Sequence, residues 1–217
     1  MAELMMLRFE GAMQSWGEDS AWDNRDTAGY PSKSGIVGML ACAMGLPRES
    51  EDIFQLSAAL KVGVRADRLG TAGCDLQTIQ GMPKVLNAMG KSRANIVSYR
   101  WYLQDASFLI ILETTLLWQE RIENALKNPV WFIYLGRKNC VPSRPVWDGI
   151  HKEYDSILDA VRRYPAAPGP QDFLPYQVED FFPEGESLTR SDEIIGRRIF
   201  QRRKVWLGTI RRDKVCI

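Results

Sequence analysis

The sequence predicts an α+β fold. A ferredoxin-like (RRM-like) βαββαβ sheet spans residues 1–150, with a hairpin inserted at about 70–99 and a small strand-rich subdomain over 151–217. Three observations carry this reading. Strand and helix patterns follow in the order strand, helices, strand, insertion, strand, helix, which one further strand would complete. A glycine-rich stretch, 69–99, breaks every periodicity between two well-formed strands. Beyond the breaks at Pro165, Pro168, Gly169 and Pro170, the chain returns to alternating strand patterns.

Residues 4–9 read as the first strand and 11–30 as a long polar loop. Pro31 suits the start of a helix over 33–44, and Ser32 or Ser34 can cap the free amides of its first turn; Gly45 and Pro47 close it. Ser50, with Glu51 and Asp52 in the first turn, opens a second helix that runs to about Leu60. Residues 61–67 alternate apolar and polar, the period of a half-buried strand. Gly70, Gly73, Gly81 and Gly90 then interrupt any pattern, and a structureless loop of that length is uncommon in a compact domain, so the segment is a protruding hairpin or lid. Order returns with the apolar run 107–112 inside 101–113, followed by a helix over 116–127 that ends at Asn128-Pro129. The fourth strand of the sheet falls within 131–150. A short helix covers 154–164, and 177–209 forms two or three strands, including 197–201 and 204–210.

Composition excludes several classes. At 217 residues, 45% apolar and 25% charged, the chain can bury a large core and has an ordinary soluble balance. The net charge of +1 hides a gradient: residues 1–60 carry four Lys/Arg against nine Asp/Glu, whereas 197–214 carry eight against Asp213 alone. That asymmetry suits either a basic binding face or a solvated strand pair. Cys42, Cys74, Cys140 and Cys216 lack zinc-site spacing, and Cys42 reads as a small core residue of the first helix. Charges at positions 3, 8 and 10 spoil a signal-peptide pattern, and the longest apolar run, 35–46, is too short to span a bilayer. The expectation is a cytoplasmic protein with no membrane partner, no metal and no cofactor.

Catalytic chemistry finds little support. His151 is the only histidine, in a polar surface context, and neither a Walker A nor a G-x-G-x-x-G pattern is present. Single-strand binding fares better. Tyr134-Leu-Gly-Arg-Lys-Asn139 sets a glycine beside Arg137, Lys138 and an amide, directly after Trp131 and Phe132, with Arg144 extending the basic cluster. Glycine permits close backbone approach, the cations neutralise phosphates, and aromatics stack on bases. Lys33, at the positive end of the first helix, can join backbone amides around a phosphate. Trp16, Trp22 and Tyr30 could stack likewise. The same features also suit ordinary capping, a basic turn and core aromatics.

Four segments, 7–17, 30–40, 102–108 and 134–140, together resemble the CasD-type subunit family of type I-E CRISPR Cascade, within the RAMP superfamily. The resemblance spans residues 1 to about 150. It implies a non-catalytic, antiviral-defence subunit that holds the 5′ handle of CRISPR RNA and caps a backbone filament. Its partners would be that RNA, the backbone subunits and the large subunit, with target DNA met only through the complex. It implies that the insertion is a thumb crossing the guide. It also makes Gln14, Trp16, Lys33, Ser34, Arg137, Lys138 and Asn139 handle contacts, with Ser34 and glycine amides at the helix start and Gln14 and Asn139 on base edges. The alternative is a metal-independent endoribonuclease processing precursor RNA, for which Tyr30, Lys33 and His151 are the one combination available. A third reading is a protein–protein adaptor.

Overall fold

The computed structural model describes residues 3–18, 20–21, 23–86 and 89–215, which leaves Trp22 and Cys216 outside the described residues. In chain order the elements are β1 (Leu4–Glu10), β2 (Met13–Gln14), β3 (Asn24–Arg25), α1 (Lys33–Ala43), α2 (Glu51–Ala59), β4 (Lys61–Arg68), β5 (Thr71–Leu86), β6 (Ser92–Gln104) and β7 (Ser107–Glu113). There follow α3 (Leu116–Lys127), β8 (Trp147–His151), α4 (Ile157–Arg163), β9 (Phe173–Val178), β10 (Glu186–Gly196) and β11 (Ile199–Arg211), and a 3₁₀ turn at Arg212–Lys214. The local signals explain these bounds. Ser32 caps α1 by accepting from the Gly35 amide, and Ser156 caps α4 in the same way. Asp105, at φ 53°, turns the chain from β6 into β7.

Seven strands form one antiparallel sheet in the order β10-β11-β9-β4-β7-β1-β8. Its first face carries Met5, Leu7 and Phe9 of β1 with Phe108, Ile110 and Leu112 of β7, packed under Ile36, Leu40 and Ile122 of α1 and α3. The second face carries Leu4, Met6, Leu109 and Ile111 under Ile157, Ala160 and Val161 of α4. Helices therefore cover both faces of the sheet. Gly63 lets α4 cross closely, because a Cβ there would overlap Ile157.

Two sequence expectations are corrected here. β4 is not half-exposed. Arg65 and Asp67, its polar positions, are fully buried. Arg65 donates to Asp67 Oδ1 at 2.6 Å and to the carbonyls of Val161 and Tyr164 at 2.6 and 2.8 Å, while Arg8 pairs with Asp67 from β1. The polar side of the strand is thus matched to backbone acceptors at the end of α4 rather than to water. Nor do the C-terminal strands form a sheet of their own. β9 pairs with β4 through Gly63↔Val178, Val64↔Gln177 and Arg65↔Tyr176, and β10 and β11 extend the same sheet.

The insertion is a β5–β6 hairpin spanning 71–104, longer than the expected 70–99. β6 pairs with β5 on one side and with the short β2 and β3 on the other. Period-two geometry gives the ribbon two different faces. Asp75, Gln77, Arg100 and Tyr102 share one, and Leu76, Val97, Tyr99 and Trp101 share the other, where all four are exposed.

Candidate nucleic-acid interface

The loop after α3 returns under the hairpin and is pinned there. Ser15 N donates to Leu135 O, Leu135 N to Cys140 O, and Gly136 adopts φ 89°, where a Cβ would overlap the Ser15 carbonyl. Arg137 ties the loop down. Its guanidinium donates to Trp101 O at 2.9 Å, Arg25 O at 2.9 Å and Asp26 O at 3.0 Å, bridging β6 and β3. Burial lowers its pKa, with Arg100 and Arg25 adding to that effect and Cys140 and Asp26 opposing it. Lys138 and Asn139 stay exposed at the loop tip. With the polar face of the hairpin, this loop forms a groove of about 470 Å³ lined by Arg48, Arg100, Tyr102, Tyr134, Lys138 and Asn139 among others.

Of the residues expected from sequence, Tyr134, Arg137, Lys138 and Asn139 meet in this groove. Ser34 lines an adjoining concavity. Three others face inward, which corrects their expected direct contact. Gln14 is fully buried, donates to Phe9 O and Ala106 O at 3.1 and 2.9 Å, and accepts from Trp16 Nε1. Trp16 stacks on Phe9 at 5.5 Å and backs the wall of the adjoining concavity. Lys33 is 2% exposed. Its Nζ lies 3.1 Å from Glu193 and 3.5 Å from Glu179, and its backbone amide donates to Asp192 at 2.7 Å. The first turn of α1 is thus occupied by a carboxylate of the protein itself. Arg144 lies apart, paired with Asp148 beside Tyr164. Cys42, expected in the core, is partly exposed.

Tyr30, Lys33 and His151 do not converge. Tyr30 packs against Phe108 on the first face of the sheet, and burial pushes its pKa up to about 12. His151 pairs with Leu4 and packs on Tyr154 and Tyr164 on the second face. Among the described residues no group of three or more His, Cys, Asp and Glu is placed to hold a metal ion, and no helix is long and apolar enough to cross a membrane.

Sequence reasoning missed Arg48, Arg100, Tyr102 and the residues of the β10–β11 turn. A strand register would have found the first hairpin pair, because Arg100 and Tyr102 share a face by period two. Nothing local could have joined a turn near 197 to α1.

Residues 4–212 match the family model described as CRISPR-associated protein (Cas_Cas5), and the chain belongs to that Cas5 family. It is similar to the CRISPR system Cascade subunit CasD of Escherichia coli strain K12, at 32% identity over 162 residues, covering 69% of this chain and 71% of that one. A solved structure described as a crystal structure of a Cas protein superposes with a TM-score of 0.76 at 34% identity, covering 98% and 97% of the two chains. A chain of a CRISPR RNA-guided surveillance complex superposes with a TM-score of 0.74 at 28% identity, covering 99% and 93%.

Proposed function

We propose that this chain is a non-catalytic subunit of a type I-E CRISPR RNA-guided surveillance complex, holding the 5′ handle of the CRISPR RNA and capping the backbone filament. The observation that carries the proposal is the groove. Two walls of different origin, the hairpin face and the 134–140 loop, bring Arg100 and Lys138 together with Tyr102 and Tyr134, and Arg48 joins them from the α1–α2 connection. Cations for phosphates interleaved with rings for bases are the chemistry of single-strand binding. The similarity to CasD supports the assignment to Cascade.

In this reading the hairpin is the thumb that crosses the guide, and the central strands β4-β7-β1-β8 are a ferredoxin-like unit with α1 and α3 as its crossovers. The second-third-first-fourth order of those strands supports it. Partners are the backbone and large subunits, with target DNA reached through the complex in the cytoplasm. Tyr134, Lys138 and Asn139 contact RNA. Arg137 positions them, while Gln14, Trp16 and Lys33 build the frame beneath.

The test is incubation of the purified protein, without added metal, with labelled repeat-derived RNA at low and moderate salt, read on native and denaturing gels. The expected result is retained, intact RNA, with retention falling with salt and in Lys138→Ala. Site-specific cleavage lost in His151→Ala would instead make the chain a processing enzyme.

A further inference from the structure

The strands β10 and β11 carry different chemistry on their two sides. Arg203 of β11 turns toward α1, where it meets Asp192 and Glu179. Alternation therefore puts Arg202, Lys204 and Trp206 on the opposite side, the second face of the sheet, and Trp206 packs there against the cluster under α4. The register sets Thr189 beside Lys204 and Ser187 beside Trp206, and Ser191 follows on the same side. The helix α4 packs on β4, β7 and β9. Arg202, Lys204 and the three hydroxyl residues of β10 are all exposed.

This side is positive because the acids of both strands are elsewhere. β10 carries three carboxylates and β11 none. Asp192 and Glu193 meet Lys33 on the α1 side, and Glu186, opposite Leu207, shares the parity of Arg190. Among the described residues, neither Arg202 nor Lys204 has an ion-pair partner. Arg162, near the end of α4, adds a third exposed guanidinium, held by the Tyr176 hydroxyl at 3.2 Å and lying over the Phe182 ring. Tyr176 covers Gly208 of β11, where a Cβ would overlap its ring. Arg162, Trp206, Lys204 and Arg202 thus form one row, the last three in two-residue steps of about 6.8 Å.

We infer that this row grips the sugar–phosphate backbone of duplex DNA, with Arg162, Lys204 and Arg202 on phosphates and the β10 hydroxyls donating beside them. The surface shares no residue with the RNA groove; the choice of DNA rests on the proposed place in a surveillance complex. Charge complementarity selects a polyanion, because cations and hydroxyls stand here without an acid from either strand. Geometry selects a duplex over a single strand. Single-strand sites stack bases on free ring faces, whereas Trp206 is part buried and meets Phe181 edge-on at 5.6 Å. A stiff duplex lays its phosphates on an open sheet face without unstacking a base. Phosphate contacts carry no sequence information, so this binding is independent of sequence.

The experiment compares a short labelled DNA duplex of arbitrary sequence with labelled repeat-derived RNA, each titrated against the full-length chain at several salt concentrations. The wild type is expected to bind the duplex with a Kd of about 10⁻⁴ to 10⁻⁶ M near physiological salt. Arg202→Gln and Lys204→Gln should each lower the slope of log affinity against log salt by about 0.9 for the duplex, and leave RNA retention and Tm unchanged. Lys138→Ala should weaken RNA retention and leave the duplex bound. No duplex binding, or duplex binding indifferent to both substitutions, overturns the surface and leaves the groove standing. A matching single strand bound as tightly as the duplex, or equal loss of duplex and RNA in the two variants, overturns it as well. Duplex bound through Arg202 and Lys204 without RNA retention supports the surface and overturns the groove.

Discussion

The Lys33 amide meets the Asp192 carboxylate at 2.7 Å and its ammonium meets Glu193 at 3.1 Å, so a residue whose position suggests phosphate binding instead fastens α1 to β10. Burial works against the Asp192 charge, but the Arg203 hydrogen bonds, the Lys33 amide and Arg190 outweigh it and hold its pKa below the ordinary carboxylate value. A depressed folded-state pKa stabilises fully above the unfolded value, about 3.9, and the contribution is lost as pH falls through the lower folded value. Asp192→Asn should therefore cost about 3 kcal/mol in urea denaturation at pH 7, and its gap from the wild type should narrow below about pH 3.9. Glu179 behaves oppositely. Burial dominates there and raises its pKa despite Lys33 and Arg203, so Glu179→Gln should cost clearly less than Asp192→Asn in the same titration. If the two variants are equally damaging, the division of labour within this cluster is wrong. Gly136 is a backbone case. Its φ of 89° and the adjacent Ser15 carbonyl leave no room for a side chain, so Gly136→Ala should shift the 134–140 loop and abolish RNA retention, with a lowered Tm as the accompanying sign.

At the scale of elements, the β5–β6 hairpin separates two functions by side-chain parity. Arg100 lies on the groove face and Tyr99, its chain neighbour, on the outer face. Arg100→Ala and Lys138→Ala should each lower the slope of log affinity against log salt by about 0.7, as expected when one phosphate contact to a single strand is lost. Tyr99→Ser should leave both slope and affinity unchanged, and a loss of binding there would contradict the assignment of faces. The same parity shows how far the sequence could be read. The bounds of α1, α2 and α3 were legible because caps, first-turn acids and terminal Gly or Pro are local signals. The insertion was legible as a break in periodicity, but its strands were not, because their exposed, glycine-punctuated pattern lacks an apolar face of the usual kind. β4 was legible as a strand and misread in burial. Alternation reports which residues share a face, and it cannot report that Arg65 will meet the carbonyls of Val161, Tyr164 and Pro165, and Asp67 the Ala167 amide, instead of solvent.

In the whole molecule, Pro165 opens the segment that composition marks as a linker, and the charge cluster is what holds that segment against the sheet. Asp67 accepts from Arg65 and from Ala167 N at 2.8 Å and pairs with Arg8, while Arg212 donates to Ala167 O and Asp67 O from beyond the last strand. β1, β4, the 161–171 segment and the C-terminal turn therefore share one set of buried charges. An expectation of separate units over 1–150 and 151–217 is consistent with the proline breaks, which are local, and blind to the β4–β9 pairing, which is not. Splitting the chain at 150 would leave β4 as an edge strand, Arg65 without its carbonyl acceptors and Asp67 without the Ala167 amide, and buried charged groups stripped of such partners are strongly destabilising. A fragment of residues 1–150 should accordingly fail to fold alone. The full chain should unfold in one transition, with tryptophan fluorescence and far-ultraviolet circular dichroism coinciding. Asp67→Asn should lower that single midpoint by the equivalent of about 3–5 kcal/mol for both probes together. Two separated transitions, with Asp67→Asn moving only one of them, would mean that the C-terminal strands fold independently and merely dock on the β4 edge.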